Sequence, residues 1–289
     1  MSSLAFFLNE GVNALSQAAL LFFLGVGLTL IFGIMRIVNF AHGALYMLGA
    51  FVAYSLAHWT GSFWVALALA PMVVGAIGTA FELVILRRLY ARDAHAFLMV
   101  TFGLALVVSE AVRLIWGPDA LQVLPPRPLA GVVFLLGEPF PVYRLFLVAC
   151  GIAVALAIWQ LLERSRLGLL IRATSQNAEM VHALGIDVNL VRSATFGIGC
   201  GLAALGGMLA APLVTASHGM AGTVIIDAFV IVIIGGMGSF LGSLIGALLV
   251  AFVQVFGNYY LPDFALAFMY LVMLLVLVVR PGGLLGKEA

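Results

Sequence analysis

Charge is the scarcest commodity in this 289-residue chain: 9% of residues are Asp, Glu, Lys or Arg, against roughly 25% in soluble domains. Lysine occurs once, at Lys287, and the formal net charge is +1. Positive residues this few, spread along the sequence, exclude an extended nucleic-acid surface. A single lysine also excludes a phosphate-binding loop, because the stretch Gly282-Gly-Leu-Leu-Gly286-Lys287-Glu288 has neither the glycine spacing nor the Ser or Thr after the lysine that G-x-x-x-x-G-K-[ST] requires. Cysteine appears only at Cys150 and Cys200, each inside an apolar stretch, which reads as two small buried hydrophobes rather than a disulfide or a metal site. Five scattered histidines make neither an H-E-x-x-H pair nor a Cys/His cluster. No G-x-S-x-G elbow occurs either, so nothing points to an enzyme. No Lys or Arg precedes Arg36, so the basic n-region of a cleavable secretory signal is missing and the first apolar block is expected to remain.

What is abundant is apolar surface. Hydrophobic residues make up 64% of the chain, and the mean hydropathy is +1.22. A bilayer core of about 30 Å takes about 20 helical residues, and every backbone polar group must be satisfied within the segment. Eight blocks approach that length: Ala14–Met35, Gly43–Ala57, Trp64–Leu86, His95–Trp116, Tyr143–Leu162, Ser193–Val214, Thr223–Phe256 and Phe264–Val279. The expected fold is therefore an all-α polytopic membrane helix bundle with 8–9 crossings, forming a single domain over residues 1–289. The second block, 15 residues long, suits a re-entrant or broken element. The seventh, 34 residues long, is too long for one pass, and the glycine cluster Gly235–Gly242 at its middle predicts two shorter helices meeting at a turn.

Lys and Arg accumulate in cytoplasmic loops. With the polar interval 164–192 placed inside, ten basic residues fall on the inner side (Arg36, Arg87, Arg88, Arg92, Arg164, Arg166, Arg172, Arg192, Arg280, Lys287) and three outside (Arg113, Arg127, Arg144). The N-terminus is then external and the C-terminus cytoplasmic. Segment 117–142 becomes an external loop whose six prolines preclude a helix through it.

Three acids lie within apolar blocks, where a charge costs about 2.5–3.5 kcal/mol at a helix centre and needs a partner or water. Glu82, five residues before Arg87 and near the inner end of its block, is expected to snorkel to the interface. Glu110 shares a helix face with Arg113, as an ion pair or as a contact for one end of a zwitterionic solute. Asp227 reads as a helix-start acid favoured by the dipole. Asn39-Phe-Ala-His42-Gly43, with Tyr46 beyond, places polar groups at a membrane boundary, either as an interfacial turn or as a gate. Gly238, Gly242 and Gly246, like Gly197 and Gly201, recur every four residues and mark faces of close helix packing. From Arg172 to Leu184 the sequence reads as a short amphipathic helix with Ala173, Met180, Val181 and Leu184 on one face and Gly185 as its C-terminal glycine. That face lies on lipid and bundle, or docks into a groove on a soluble partner.

Asn39-Phe-Ala-His-Gly43 with Tyr46-Met-Leu-Gly49, the loop from Arg172 to Ile186, the run Ile234-Gly-Gly-Met-Gly-Ser-Phe-Leu-Gly-Ser243 and the closing Arg280-Pro-Gly-Gly-Leu284 together resemble the LivH-type permeases of branched-chain amino-acid ABC importers. The likeness runs in register from the first block to Gly286. It implies a translocation subunit without an ATPase of its own, moving small, branched-chain or other apolar amino acids across a bacterial inner membrane by alternating access. The implied partners are a second, LivM-type permease in a heterodimer, two cytoplasmic ATP-binding subunits that hold the ATP and Mg, and a periplasmic solute-binding protein. The segment 172–186 resembles the coupling loop that seats in the ATP-binding subunit, which assigns Arg172, Ala173, Asn177, Ala178, Leu184 and Gly185 to that joint. Asn39, His42, Tyr46 and Glu110 are the residues assigned to the path. Family members often carry an acid after the His-Gly pair; here that position is Ala44, which leaves solute preference more open. An ion-coupled secondary carrier is the alternative, but such carriers usually show an internal repeat and need no amphipathic cytoplasmic helix.

Overall fold

The structure, a computed structural model, describes residues 3–90, 92–135 and 138–286, so Lys287 lies outside the described residues. In chain order the helices are α1 (Ser3–Met35), α2 (Ala41–Thr60), α3 (Phe63–Val84), α4 (Ala94–Trp116), α5 (Val142–Arg164), α6 (Arg166–Gln176), α7 (Ala178–Ala183), α8 (Val188–Val214), α9 (Met220–Gly235), α10 (Phe240–Tyr260) and α11 (Ala265–Val279). Between α4 and α5 the proline-rich segment makes a single 3-10 turn at Arg127–Leu129 and a two-stranded antiparallel hairpin, β1 (Val132–Leu135) with β2 (Glu138–Pro141). No α-helix passes through the described part of that segment.

Among the described residues, seven helical stretches are long and apolar enough to cross a membrane. They differ in how much of themselves they hide. In the Phe6–Met35 stretch 89% of the apolar window is buried, against 17% for Pro262–Val279. α1 is therefore a central post, while α11 presents Leu271, Leu274, Leu275 and Val278 outward, as a helix solvated by lipid does.

Two ends of the bundle can be distinguished by which termini meet. At one end Arg36, just past α1, donates to Ser175 O of α6 at 3.3 Å, Arg87 Nη2 donates to Ser193 Oγ at 2.8 Å, and Leu284 N donates to Ile234 O at 2.8 Å. At the far end Trp116 Nε1 donates to Ser55 Oγ at 2.7 Å, and Leu121 and Ala216 exchange backbone bonds as an isolated bridge. There too the rings of Phe6 and Tyr259 lie 4.3 Å apart.

Several expectations are corrected. The second block is not a short broken element: α2 is an unbroken helix of 20 residues. Its average hydropathy is lowered by His42, Tyr46, Tyr54, Ser55 and His58, and its first half is enclosed by other helices, so polar groups there meet protein rather than lipid. Glu82 does not snorkel; it is fully buried. Asp227 is not a helix-start acid, because α9 begins seven residues earlier at Met220. The seventh block does divide, into α9 and α10, around a turn where Gly236 and Gly238 adopt φ of 101° and 84°. Gly238 thus belongs to the turn rather than to a helix face. Gly242 and Gly246 remain in α10, backed against the main chain of α9, and Gly197 and Gly201 lie against Gly75 and Pro71 of α3.

Candidate functional site

Two features stand apart from ordinary bundle packing, one at each end. At the end where Arg36 meets Ser175, α6 and α7 form a bent arm instead of the single helix expected from Arg172 to Leu184. The break is at Asn177, whose backbone is extended (φ −151°, ψ 93°) and whose Oδ1 accepts from Met180 N at 2.9 Å, capping α7. An asparagine that satisfies the first turn of a new helix does not also continue the old one. α7 ends in a Schellman motif: Gly185 N donates to His182 O at 2.9 Å, Ile186 N to Val181 O at 3.4 Å, and Gly185 has φ of 81°. The arm is moored by Arg172, which donates to Leu162 O and pairs with Glu163 at 3.3 Å. Ala173 O accepts from Asn177 N at 2.9 Å, and Ala178 opens α7 half-buried. Val181 packs inward at 4% exposure, whereas Met180 and Leu184 stand out at 58% and 72%. Of the face expected to be shared, Val181 is therefore buried while Met180 and Leu184 are left exposed. The outcome is a short, capped helix holding two bare apolar side chains beyond the end of the bundle.

In the other half lies a cavity of about 440 Å³ formed by α1, α2, the end of α8 and the start of α9. Its apolar wall includes Leu20, Leu21, Leu24, Val214 and Val224; its polar groups are Gln17, Tyr46, Ser217, Thr223 and Asp227. Tyr46 is 5% exposed. Asp227 accepts from Gln254 Nε2 of α10 at 3.3 Å. Among the described residues, the three ion pairs involve Glu82, Glu110 and Glu163, and none involves Asp227.

The four residues assigned to a path are not gathered together. His42 sits one turn below Tyr46, fully buried, with Nε2 3.1 Å from Leu24 O, a residue of the cavity wall. Among the described residues its buried Nδ1 has no partner, nor has Asn39 Nδ2. Asn39 Oδ1 accepts from Ala41 N at 3.1 Å and so initiates α2. The Asn39–Gly43 stretch is therefore a buried helix start inside the bundle, and the neighbouring Phe40 borders a second, wholly apolar cavity of about 360 Å³ with Phe32, Leu98 and Phe229. Glu110 lies away from all of these, on an outward face of α4, in a forked pair with Arg113 whose side chains are about half exposed. Sequence reasoning singled out Tyr46 and Asp227 separately but gave no sign that they share a cavity, since they come from helices far apart in the chain. Gln17 and Thr223 carried no signal at all.

A family profile described as branched-chain amino acid transport system / permease component matches residues 11–277. Among curated proteins, the chain is 29% identical to the high-affinity branched-chain amino acid transport permease BraD of Pseudomonas aeruginosa, over 99% of this chain and 98% of that one. It is 26% identical to LivH of Escherichia coli, over 98% and 96%. The permease LivM of Salmonella typhimurium is also similar, at 26% identity over 97% of this chain but 71% of its own length. These relatives are transport permease components rather than enzymes. With seven helices among the described residues long and apolar enough to cross a membrane, and the profile spanning nearly all of its length, the chain is a multi-pass membrane protein and belongs to the branched-chain amino acid transport system permease family.

Proposed function

We propose that this chain is the LivH-type half of a membrane heterodimer, paired with a LivM-type permease and driven by two ATP-binding subunits, which imports small apolar amino acids delivered by a periplasmic binding protein. The single observation that carries this reading is α7: a capped helix of six residues whose Met180, together with Leu184 at its C-cap, stands exposed. Exposed apolar side chains on a rigid, preorganised helix are what a groove on a soluble partner recognises. α7 is in turn tied to the membrane helices through α6, Arg172 and Arg36, so a displacement of the partner moves the bundle rather than a slack loop. Coupling of this kind needs two biased states of packed helices, not a wire of residues.

Orientation follows from basic residues. Arg36, Arg87, Arg172, Arg192 and Arg280 all belong to the end that carries α6 and α7, which supports a cytoplasmic position for that end. The N-terminus is then periplasmic and the cavity near Tyr46 opens toward the side from which solute arrives. The similarity to both LivH and LivM supports pairing with a related but distinct permease, since the chain matches 96% of the length of the first and 71% of the second.

The test is to place a bulky residue at the joint. Ala178→Trp inserts correctly into the inner membrane but loses co-purification of the ATP-binding subunits and amino-acid uptake together. Full uptake with undiminished association would overturn the reading. Uptake that persists without nucleotide and collapses with the ion gradient would instead favour a secondary carrier.

A further inference from the structure

Resting on the preceding reading of an amino-acid permease, we propose that the cavity between α1, α2 and α9 is a binding site for the zwitterionic head of an α-amino acid, with Asp227 receiving the ammonium group and the α9 N-terminus, assisted by Tyr46, receiving the carboxylate. Three independent features converge on it. The first is Asp227 itself. A carboxylate within a membrane bundle, with an amide as neighbour and no cationic side chain paired to it among the described residues, is a costly arrangement. A ligand cation removes that cost.

The second is Tyr46. Its side chain is 95% hidden and lines the same cavity, and its hydroxyl is not one of the enclosed groups left without a partner. A phenolic O–H facing a cavity is a suitable donor to a carboxylate.

The third is the start of α9. Gly219 at its N-cap lines the cavity, provides no side chain to the first-turn amides, and has open space where a Cβ would stand; Gly222 one turn on has open space too. Met220 N already donates to Ser217 O at 3.2 Å, so the amides of Ala221 and Gly222, with the positive end of the dipole, are those left to favour a carboxylate. From Ala221 to Asp227 the helix rises about 9 Å at ~1.5 Å per residue. The side chain of Asp227 tilts back toward the N-terminus, which shortens the gap. Two hydrogen bonds of about 2.9 Å each, one at either end of the N–Cα–C frame of an amino acid, fill what remains. The amino-acid side chain then meets Leu20, Leu21, Leu24 and Val224, which suits an aliphatic group and leaves a charged one without a partner.

The intact assembly of both permeases and the ATP-binding subunits, without the binding protein, is titrated with L-leucine and its unfolding midpoint followed. L-leucine raises the midpoint of the wild type, and 4-methyl-2-oxopentanoate, which keeps the carboxylate and side chain but lacks the ammonium, does not. Asp227→Asn and Tyr46→Phe each raise the half-saturating leucine concentration tenfold or more, Asp227→Glu raises it less, and Gly219→Asp, which sets a competing carboxylate at the α9 amides, abolishes the shift. If Asp227→Asn fails to assemble, Tyr46→Phe and Asp227→Glu carry the same comparison. Equal half-saturation for the wild type and these variants overturns the site and leaves the proposed function standing, as does L-leucine uptake by a wild type that shows no leucine-dependent shift. ATP-driven uptake of some other solute, with none of the amino acids transported, overturns the solute assignment and the site with it.

Discussion

Ser193 Oγ donates to Glu82 Oε2 at 2.5 Å, joining the end of α3 to the start of α8. Glu82 is fully buried, and its other oxygen accepts from Tyr90 OH at 2.6 Å and lies 3.6 Å from Arg87 Nε. Arg87 in turn donates to Ser193 Oγ, and Arg192 lies over the Tyr90 ring at 5.0 Å. Burying a carboxylate requires this density of donors. Glu82→Ala leaves the Tyr90 hydroxyl without its oxygen acceptor and Arg87 without its carboxylate, while Ser193 Oγ keeps Asn189 O at 2.9 Å, and is expected to destabilise by about 1–3 kcal/mol for the unsatisfied groups. Glu82→Gln, which keeps an acceptor, falls between it and the wild type. Unfolding midpoints in detergent check the ranking.

The same cluster makes a prediction about pH. Burial, followed by the hydrogen bond to Glu82, pushes the Tyr90 phenol above its ordinary value. A phenol raised in the folded state contributes stability that is fully present below the unfolded pKa and is lost as pH rises through the folded one. Between about pH 6 and 9 both states therefore hold the proton. The stability difference between wild type and Tyr90→Phe should be constant across that window and should shrink only in strong alkali. A difference that varies steadily through neutrality would contradict the assignment.

At Asn177 the predicted effect is on coupling rather than insertion. Asn177→Ala removes the cap on α7 and costs about 1 kcal/mol locally. In a helix of six residues that is enough to fray the arm. Transport per ATP hydrolysed should fall, while Asn177→Asp, which caps equally well, should retain it. The double variant Met180→Asp with Leu184→Asp should leave the unfolding midpoint within about 0.5 kcal/mol of the wild type, because both side chains are exposed. It should nonetheless lose the ATP-binding subunits on purification.

Close helix contact gives a paired prediction. A Cβ at Gly27 would stand 2.6 Å from Gly199 O of α8 and 3.0 Å from the His42 ring, so α1 must move away from α8 to accommodate it. Gly27→Ala is expected to destabilise by about 1–3 kcal/mol. Gly103 of α4 has nothing within 4 Å, and Gly103→Ala should be neutral or stabilising by up to about 1 kcal/mol through helix propensity alone. Equal effects at the two positions would refute the packing argument.

These residues also show what could be read in advance. The division of the seventh block was legible because 34 apolar residues exceed one crossing and the glycines at its centre are the residues that tolerate positive φ. Gly185 was legible for the same reason, and the Glu110–Arg113 pair because spacing alone places two side chains on one face. The length of α2 was not, since helices buried within a membrane bundle need not be hydrophobic and hydropathy undercounts them. The break at Asn177 was hidden in a polar stretch, where an asparagine reads equally as surface residue or cap until its side chain is seen to accept from Met180. Least visible was the cavity. Gln17, Tyr46 and Asp227 come from three helices, and only packing brings them to one wall.

The tail after α11 has a bearing on how the protein is made. Leu284 N and Leu285 N donate to Ile234 O and Gly235 O at 2.8 and 3.0 Å, so residues near the C-terminus supply donors to carbonyls that the last turn of α9 leaves open. During synthesis the α9–α10 hairpin emerges from the ribosome well before those donors exist. Until then those carbonyls have only water to bond to, so the segment after α11 acts as a clasp on the α9–α10 hairpin, and a chain stopped at Pro281 would leave the clasp open.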